Sequence, residues 1–502
     1  MKLRHKAAGV MALLLHAAAA QAQQSAPTAS AVAQARERIA SVMAAASRAD
    51  CRAVLATGIP LGASDTFNAM PAEQRNPVHV MIQRCWADGE AVGAVYRDAR
   101  QATEASDGSG NAWQLRLAIE YSGRQYEMAV VSVETLGARS MEALSAMPMI
   151  WPMSLYADLK REDRGALLRR LLRVVARPDY VPVDTLESMD PLRLELASLL
   201  LADGDQAGAR AQIGAMADVG VLSGILADPR MRRMLPDGFS LRNALERQLA
   251  QHRALMAQHP EMIQPLLLVA GDLRRLGRHE EALAILEPAR ARIEDPAAFA
   301  DSAFQAKWWW DAVARAHLSL GHYDEMVASF RKGGEAREYG GINVSQTINL
   351  ALAQNLFGRG RDALQTLTPF QTNAVAMSPY GAAQVRLARG CAHVLAGAPT
   401  EAEPDLRYLI EHEADDPGAL TSLYLCRNEL NGAALSFIRR LDNPDRRADA
   451  LLQLSDDEGP AVPGSINPVR SRIPAVRARG DVQAAIARAG GMIALGIGLE
   501  SF

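Results

Sequence analysis

The chain has 502 residues, of which 49% are hydrophobic, 22% charged and 5% aromatic. That is enough for two or three globular domains with cores of their own, and too apolar for a disordered chain. Lys and Arg number 54 against 57 Asp and Glu, a net charge of −3, so there is no global positive field for a polyanion and nucleic acid is not an expected partner.

The first residues have the three-part layout of a secretory signal peptide: basic Lys2, Arg4 and Lys6, an apolar stretch from Ala7 to Ala20, and the small-residue site Ala20-Gln21-Ala22. Cleavage after Ala22 would remove those three positive charges, leaving 51 basic against 57 acidic residues and a net charge of −6. A spanning helix takes about 20 apolar residues. No later stretch reaches that length, so the mature chain is expected to be exported, with the periplasm the expected compartment, and to carry no membrane-spanning segment. In an oxidising compartment Cys51 and Cys85 can form a local disulfide.

Residues 23–185 read as an N-terminal helical region. Leu117-Ala118 with Tyr121, then Gly123 and an apolar run from Tyr126 to Leu136, suggest a helix pair, although Leu115, Leu117, Ile119 and Tyr121 also alternate as a β-hairpin would. A second pair is predicted over Pro152–Lys160 and Gly165–Ala176, ended by Arg177-Pro178.

From 186 to 458 the sequence repeats itself. Loop glycines recur at Gly204, Gly277, Gly321, Gly358 and Gly397, the last four separated by 44, 37 and 39 residues. Seven residues before each stand Ala197, Ala270, Ala314, Ala351 and Gly390; five after stand Ala209, Ala282, Met326, Ala363 and Ala402; nine after stand Ile213, Leu286, Phe330, Leu367 and Leu406. Two antiparallel helices approach closely only where small residues face each other, and the large residue then locks the pair onto its neighbour. Glycine lets the joint turn left-handed at little steric cost. Within this block Ser240–Gln258 reads as one amphipathic helix begun by a serine cap. Residues 459–468 are Pro/Gly-rich and read as a linker, and 469–502, with a last helix over Val482–Ala489, as capping helices.

The segment Leu276-Gly277-Arg278-His279-Glu280-Glu281-Ala282-Leu283, with Trp310, Asn349-Leu350-Ala351 and Tyr323, resembles the tetratricopeptide repeat, best from about Asp190 to Ile410. Met326 and Arg389 depart from that pattern, and the unit lengths wander. The resemblance implies an all-α fold, a right-handed superhelix of stacked antiparallel helix pairs whose first helices line a concave groove. Trp308, Asp311 and Arg315 would then point into the groove, joined by Arg274, Arg275 and Asn355 from neighbouring first helices. The same register puts Cys391 and Cys426 on adjacent first helices, where two buried thiols are expected.

No motif with a credible context carries chemistry. Ser329-Phe330-Arg331-Lys332 matches SxxK without its KTG companion, and the Gly358 loop follows a helix instead of a strand. There is no CxxC, HExxH or zinc-spaced Cys/His cluster, so neither a metal nor a cofactor is expected. The resulting expectation is a non-catalytic scaffold that binds a protein or peptide segment, or another cell-envelope component, in the groove. Aromatic anchors flanked by arginine are a common interface composition. Two alternatives stay open: an envelope enzyme with its active site in the N-terminal region, and a structural subunit that makes contacts through its outer face.

Overall fold

The computed structural model describes residues 29–498 apart from 69, 106–109, 184–185, 187, 296, 337–340, 373–374, 376 and 456–461. The expected signal peptide, 1–22, lies outside the described residues. Every element among them is helical and no strand occurs, so the protein is all-α. No described helix is long and apolar enough to cross a membrane.

The described residues form two compact units, one of those up to Met216 with Phe299–Asp301, the other of those from Ala217 to Ala298 and from Ser302 onward. Numbering helices of seven residues or more, the first unit contains α1 (Ala29–Ser47), α2 (Cys51–Gly62), α3 (Ala72–Trp86), α4 (Gly89–Glu104), α5 (Gly110–Ser122), α6 (Tyr126–Arg139), α7 (Ile150–Arg161), α8 (Gly165–Val175), α9 (Asp190–Ala202) and α10 (Gln206–Gly214). The region around residues 110–139 is thus a helix pair and not a β-hairpin. The first unit extends past the expected boundary near 185 because α9 packs back onto α8. A disulfide between Cys51 and Cys85 ties the start of α2 to the end of α3, with Cα atoms 4.9 Å apart.

The second unit holds α11 (Val219–Ala227), α12 (Leu241–Gln258), α13 (Gln264–Arg275), α14 (His279–Leu286), α15 (Ser302–Leu320), α16 (Tyr323–Gly334), α17 (Val344–Leu356) and α18 (Gly360–Thr366). It continues through α19 (Pro379–Leu395), α20 (Glu403–Glu411), α21 (Pro417–Cys426), α22 (Leu430–Asp442), α23 (Arg447–Ser455) and α24 (Gly480–Arg488). Each helix packs on its neighbour in sequence from α11 to α23, and α11 in turn packs on α23, so the series closes on itself. Side chains start many of these helices: Asp50, Asp88, Asp205, Asp218, Ser240, Asn343, Ser378 and Asp416 each accept a hydrogen bond from a first-turn N–H.

The repeat register is visible as packing. All five turn glycines have φ between 73° and 84°. The alanines at 197, 209, 270, 282, 314, 351, 363 and 402, and Met326, are wholly inaccessible to solvent. At Gly390 a Cβ would stand 2.9 Å from Leu423 Cδ1, which explains the one glycine in that set. The same joint recurs where no glycine marks it, at Ala49, Arg124, Asp163 and Asn428, all with φ between 53° and 61°. Around Asn428, the residues at the equivalent spacings are Thr421, Ala433 and Phe437, all fully buried, and this pair escapes a search keyed on glycine. In each joint the N–H just past the turn donates to the carbonyl five residues back, as in Arg278 to Leu273 (2.8 Å), His322 to His317 (2.9 Å) and Glu429 to Tyr424 (2.9 Å).

Two expectations are corrected here. Cys391 and Cys426 are bonded to each other, because α19 and α21 present them face to face with Cα atoms 5.6 Å apart. Residues 462–468 are no open linker: Val462 packs against the α15–α17 core, and the N–H groups of Ile466 and Asn467 both donate to Leu356 O, at 3.0 and 3.1 Å. The chain then caps α21, with Arg472 Nη1 donating to the carbonyls of Leu425 and Cys426. It packs α24 on α22 and continues through 490–498 without helix.

A Cβ at Gly277 would meet nothing within 4 Å, so Gly277→Ala isolates the left-handed backbone cost and should destabilise the protein by about 1–2 kcal/mol in denaturant titration. Asn428→Gly relieves the same strain but widens the unfolded ensemble, so the net stabilisation should be only a few tenths of a kcal/mol. Equal responses at the two positions would break the account of the joint.

Candidate functional site

Helix α15 begins six residues ahead of its first tryptophan. At 100° per residue, Phe304, Trp308, Asp311 and Arg315 fall within a stripe about 60° wide on one side of it. Phe304 is 42% and Trp308 37% exposed, and Lys307 Nζ stands 5.6 Å from the Trp308 ring centroid. The opposite side is core. Trp309 is fully buried and meets Trp310 edge to face at 4.8 Å. The Arg290 guanidinium lies over both rings, at 5.5 and 5.1 Å, and is fixed by two bonds to Glu287 of 2.8 and 2.5 Å.

Of the residues expected in the groove, Trp308 is exposed and Arg315 partly so. Asp311 and Asn355 are not. Asp311 is buried, accepting hydrogen bonds from Arg315 Nε (2.6 Å) and from Asn349 Nδ2 on α17 (2.7 Å). Asn355 is buried with Nδ2 donating to Ala388 O on α19 (2.7 Å). Successive first helices approach closely enough for one short side chain to bridge them, and a carboxylate or amide there without a partner would carry a desolvation penalty. The same kind of rung joins Gln248 to Asp272 between α12 and α13, and Gln384 to Asp416 between α19 and α21, each at 2.6 Å. Arg274 and Arg275 are half-buried. Arg274 acts electrostatically on His279, and the Arg275 carbonyl accepts the N–H of Gly498 at 2.9 Å.

Two exposed aromatics escaped the sequence reading. Phe304 sits one turn before Trp308, an i, i+4 signal hidden because the helix start was not placed. Tyr380, 60% exposed at the start of α19, lies within electrostatic reach of Arg315 and Asp416. Partial burial first, then Asp416, raises its pKa above the usual tyrosine range, and Arg315 opposes them. The resulting surface carries Phe304, Lys307, Trp308, Arg315 and Tyr380.

Other polar clusters are turned inward. Fully buried Glu120 accepts from Tyr96 Oη (3.0 Å), Arg116 Nε (3.0 Å) and Ser132 Oγ (2.6 Å). Burial first, and then Glu120, pushes the Tyr96 pKa up to about 12. Asp272 is held by Gln248 and by His252 Nδ1 at 2.7 Å. A cleft of about 840 Å³ opens on the second-helix side between α16, α17 and α18, with Tyr323, Phe330, Leu350, Gln354, Asp362 and Thr366 in its wall. There Tyr323 Oη donates to Asp362 (3.2 Å) and Thr366 Oγ1 to Gln354 (2.8 Å). Among the described residues no three His, Cys, Asp or Glu side chains gather as a metal site.

His317 and His322 bracket the α15–α16 turn with their Nδ1 atoms 3.3 Å apart. Burial, and then the neighbouring His322, holds the His317 pKa below its ordinary 6.5; Arg290 acts in the same direction, while Glu325 and Glu287 oppose it. Burial leads the downward shift at His79 and His279 as well, with Arg75 and Arg274 adding to it.

No protein-family model matches this chain, and no curated protein matches it either.

Two outcomes follow from this geometry. Trp309→Ala should cost about 3–5 kcal/mol, whereas Trp308→Ala should stay within about 0.5 kcal/mol, as read by chemical denaturation. The unfolded chain binds more protons than the folded one wherever a histidine pKa is lowered by folding, so stability should fall as pH drops below about 6.5. Melting temperatures between about pH 7.5 and 5.5 check this, and His317→Gln should flatten part of that slope.

Proposed function

We propose that this chain is an exported, non-catalytic helical-repeat protein of tetratricopeptide-like character. In this reading its stacked hairpins form a right-handed superhelix whose first helices hold a segment of a protein partner in the cell envelope. The observation that carries the proposal is the pair Phe304 and Trp308, two large aromatic side chains left 42% and 37% exposed one turn apart on a first helix. Lys307 lies beside Trp308, and Arg315 lies along the same stripe toward Tyr380. Rigid aromatic anchors flanked by cations suit a polypeptide that offers apolar side chains together with carboxylates.

The non-catalytic part of the proposal is supported by how the buried carboxylates are held. Glu120 has three side-chain donors, and Asp272 has two, Gln248 buried and His252 partly exposed. An acid–base group needs an approach for its substrate, and Glu120 is wholly inaccessible to solvent.

Affinity capture from an envelope extract, with the native protein beside a Phe304→Ala, Trp308→Ala double variant of unchanged melting temperature, tests the reading. The recovered partner, titrated in purified form, should bind the double variant about thirty-fold or more weaker, the scale of a lost hot spot. A partner that binds both proteins equally moves the site off this face.

A further inference from the structure

The C-terminal residues 490–498 are uncharged and non-helical, yet they are seated in the second unit like a bound peptide. Their side chains alternate strictly: Ile493, Leu495 and Ile497 are buried, while Met492 and Ala494 face outward. Period-two burial is what an extended chain shows when one of its faces lies in a groove.

The seat is built from elements remote in sequence. Arg232 Nη1 donates to Gly490 O (3.1 Å), Arg242 Nη1 at the start of α12 to Gly496 O (3.4 Å), and Gly498 N donates to Arg275 O at the end of α13 (2.9 Å). Ser455 Oγ on α23 accepts from Ile493 N at 3.4 Å. The segment enters through Gly490, whose φ is 103° and where a Cβ would stand 2.1 Å from Pro229 Cγ, so only glycine fits this passage. What the body offers is guanidinium N–H groups, a hydroxyl and a carbonyl to the peptide backbone, and solvent-excluded space to every second side chain. Any extended segment presents that backbone, so selectivity rests on the side chains that are buried at alternate positions.

We infer that this seat is a peptide-binding site distinct from the α15 face, with the chain's own tail as its resident occupant. It accepts in trans an extended, uncharged segment that carries branched aliphatic residues at alternate positions.

The test uses a chain ending at Ala489 and a labelled, N-acetylated and C-amidated peptide of residues 490–498, followed by fluorescence anisotropy. The truncated protein should bind the peptide saturably at 1:1. The full chain should bind it at least about ten-fold weaker, because its own tail holds the seat, and a peptide with Leu495→Asp and Ile497→Asp should lose about thirty-fold or more. These are changes of about 1.4 and 2 kcal/mol. A truncated protein of native circular dichroism that does not bind the peptide, or a full chain that binds it equally well, overturns the inference. Where truncation abolishes folding, a protease site inserted between Ala489 and Gly490 and cut after folding replaces it. The cut tail should then exchange for the labelled peptide. A tail that resists exchange is core, and a seat that takes up no labelled peptide is no binding site; either result overturns the inference.

Discussion

A single backbone joint underlies most of this molecule. One residue in the left-handed region ends the first helix of a pair, and the next N–H reaches back to a carbonyl five residues earlier, reversing the chain within a few residues. The second helix then returns so close to the first that the facing positions admit only a small side chain, or a flexible one such as Met326. Alanine at Ala270, Ala282, Ala314 and Ala351 is therefore a consequence of the turn, just as the turn is tolerable only because those alanines permit the approach. Neither half of the arrangement is stable alone, since one hairpin cannot bury its apolar stripe without a neighbour.

Close approach has an electrostatic corollary. With helices this near, polar side chains are drawn into cross-helix rungs, between first helices at Asn349 to Asp311, Asn355 to the Ala388 carbonyl and Gln384 to Asp416, and between the consecutive helices α12 and α13 at Gln248 to Asp272. Each rung satisfies groups that would otherwise be buried without partners, and it fixes the rotation of one helix against the next. The rungs also decide what is left for recognition. Asp311 is taken up by its helix neighbours, while Trp308, one turn earlier on the same stripe, stays at the surface because no adjoining helix covers it.

The C-terminal residues work on another principle. From Val462 to Gly498 the chain visits the ends of first helices instead of adding regular pairs, meeting Gly321, Leu356, Leu425 and Arg275 in turn. Helix ends expose carbonyls without intrahelical partners. An extended segment with free N–H groups, or an arginine such as Arg472, satisfies them. The contact of α11 with α23 closes the same unit, so its two ends are joined both by helix packing and by this strap.

Much of the fold was legible in the sequence because the joint is local. Turn residue, small residues and locking residue lie within about five helical turns of chain, and their spacing places helices such as α13 and α15–α19 without any knowledge of their neighbours. At Ala49 and Asn428, where no glycine marks the left-handed position, the same joint left no signal in the sequence, whereas the pairs around Arg124 and Asp163 were legible from apolar periodicity, Gly123 and Arg177-Pro178. Burial of Asp311 and Asn355, the Cys391–Cys426 bond, the exposure of Phe304 and the seating of Ile493, Leu495 and Ile497 depended on which helix end or face lay opposite. Those contacts join residues from about 30 to more than 250 positions apart. The sequence by itself determined the hairpin and its helical class; only the tertiary structure decided which polar groups were turned inward, because helix rotation and neighbour distance are set by packing and not by periodicity.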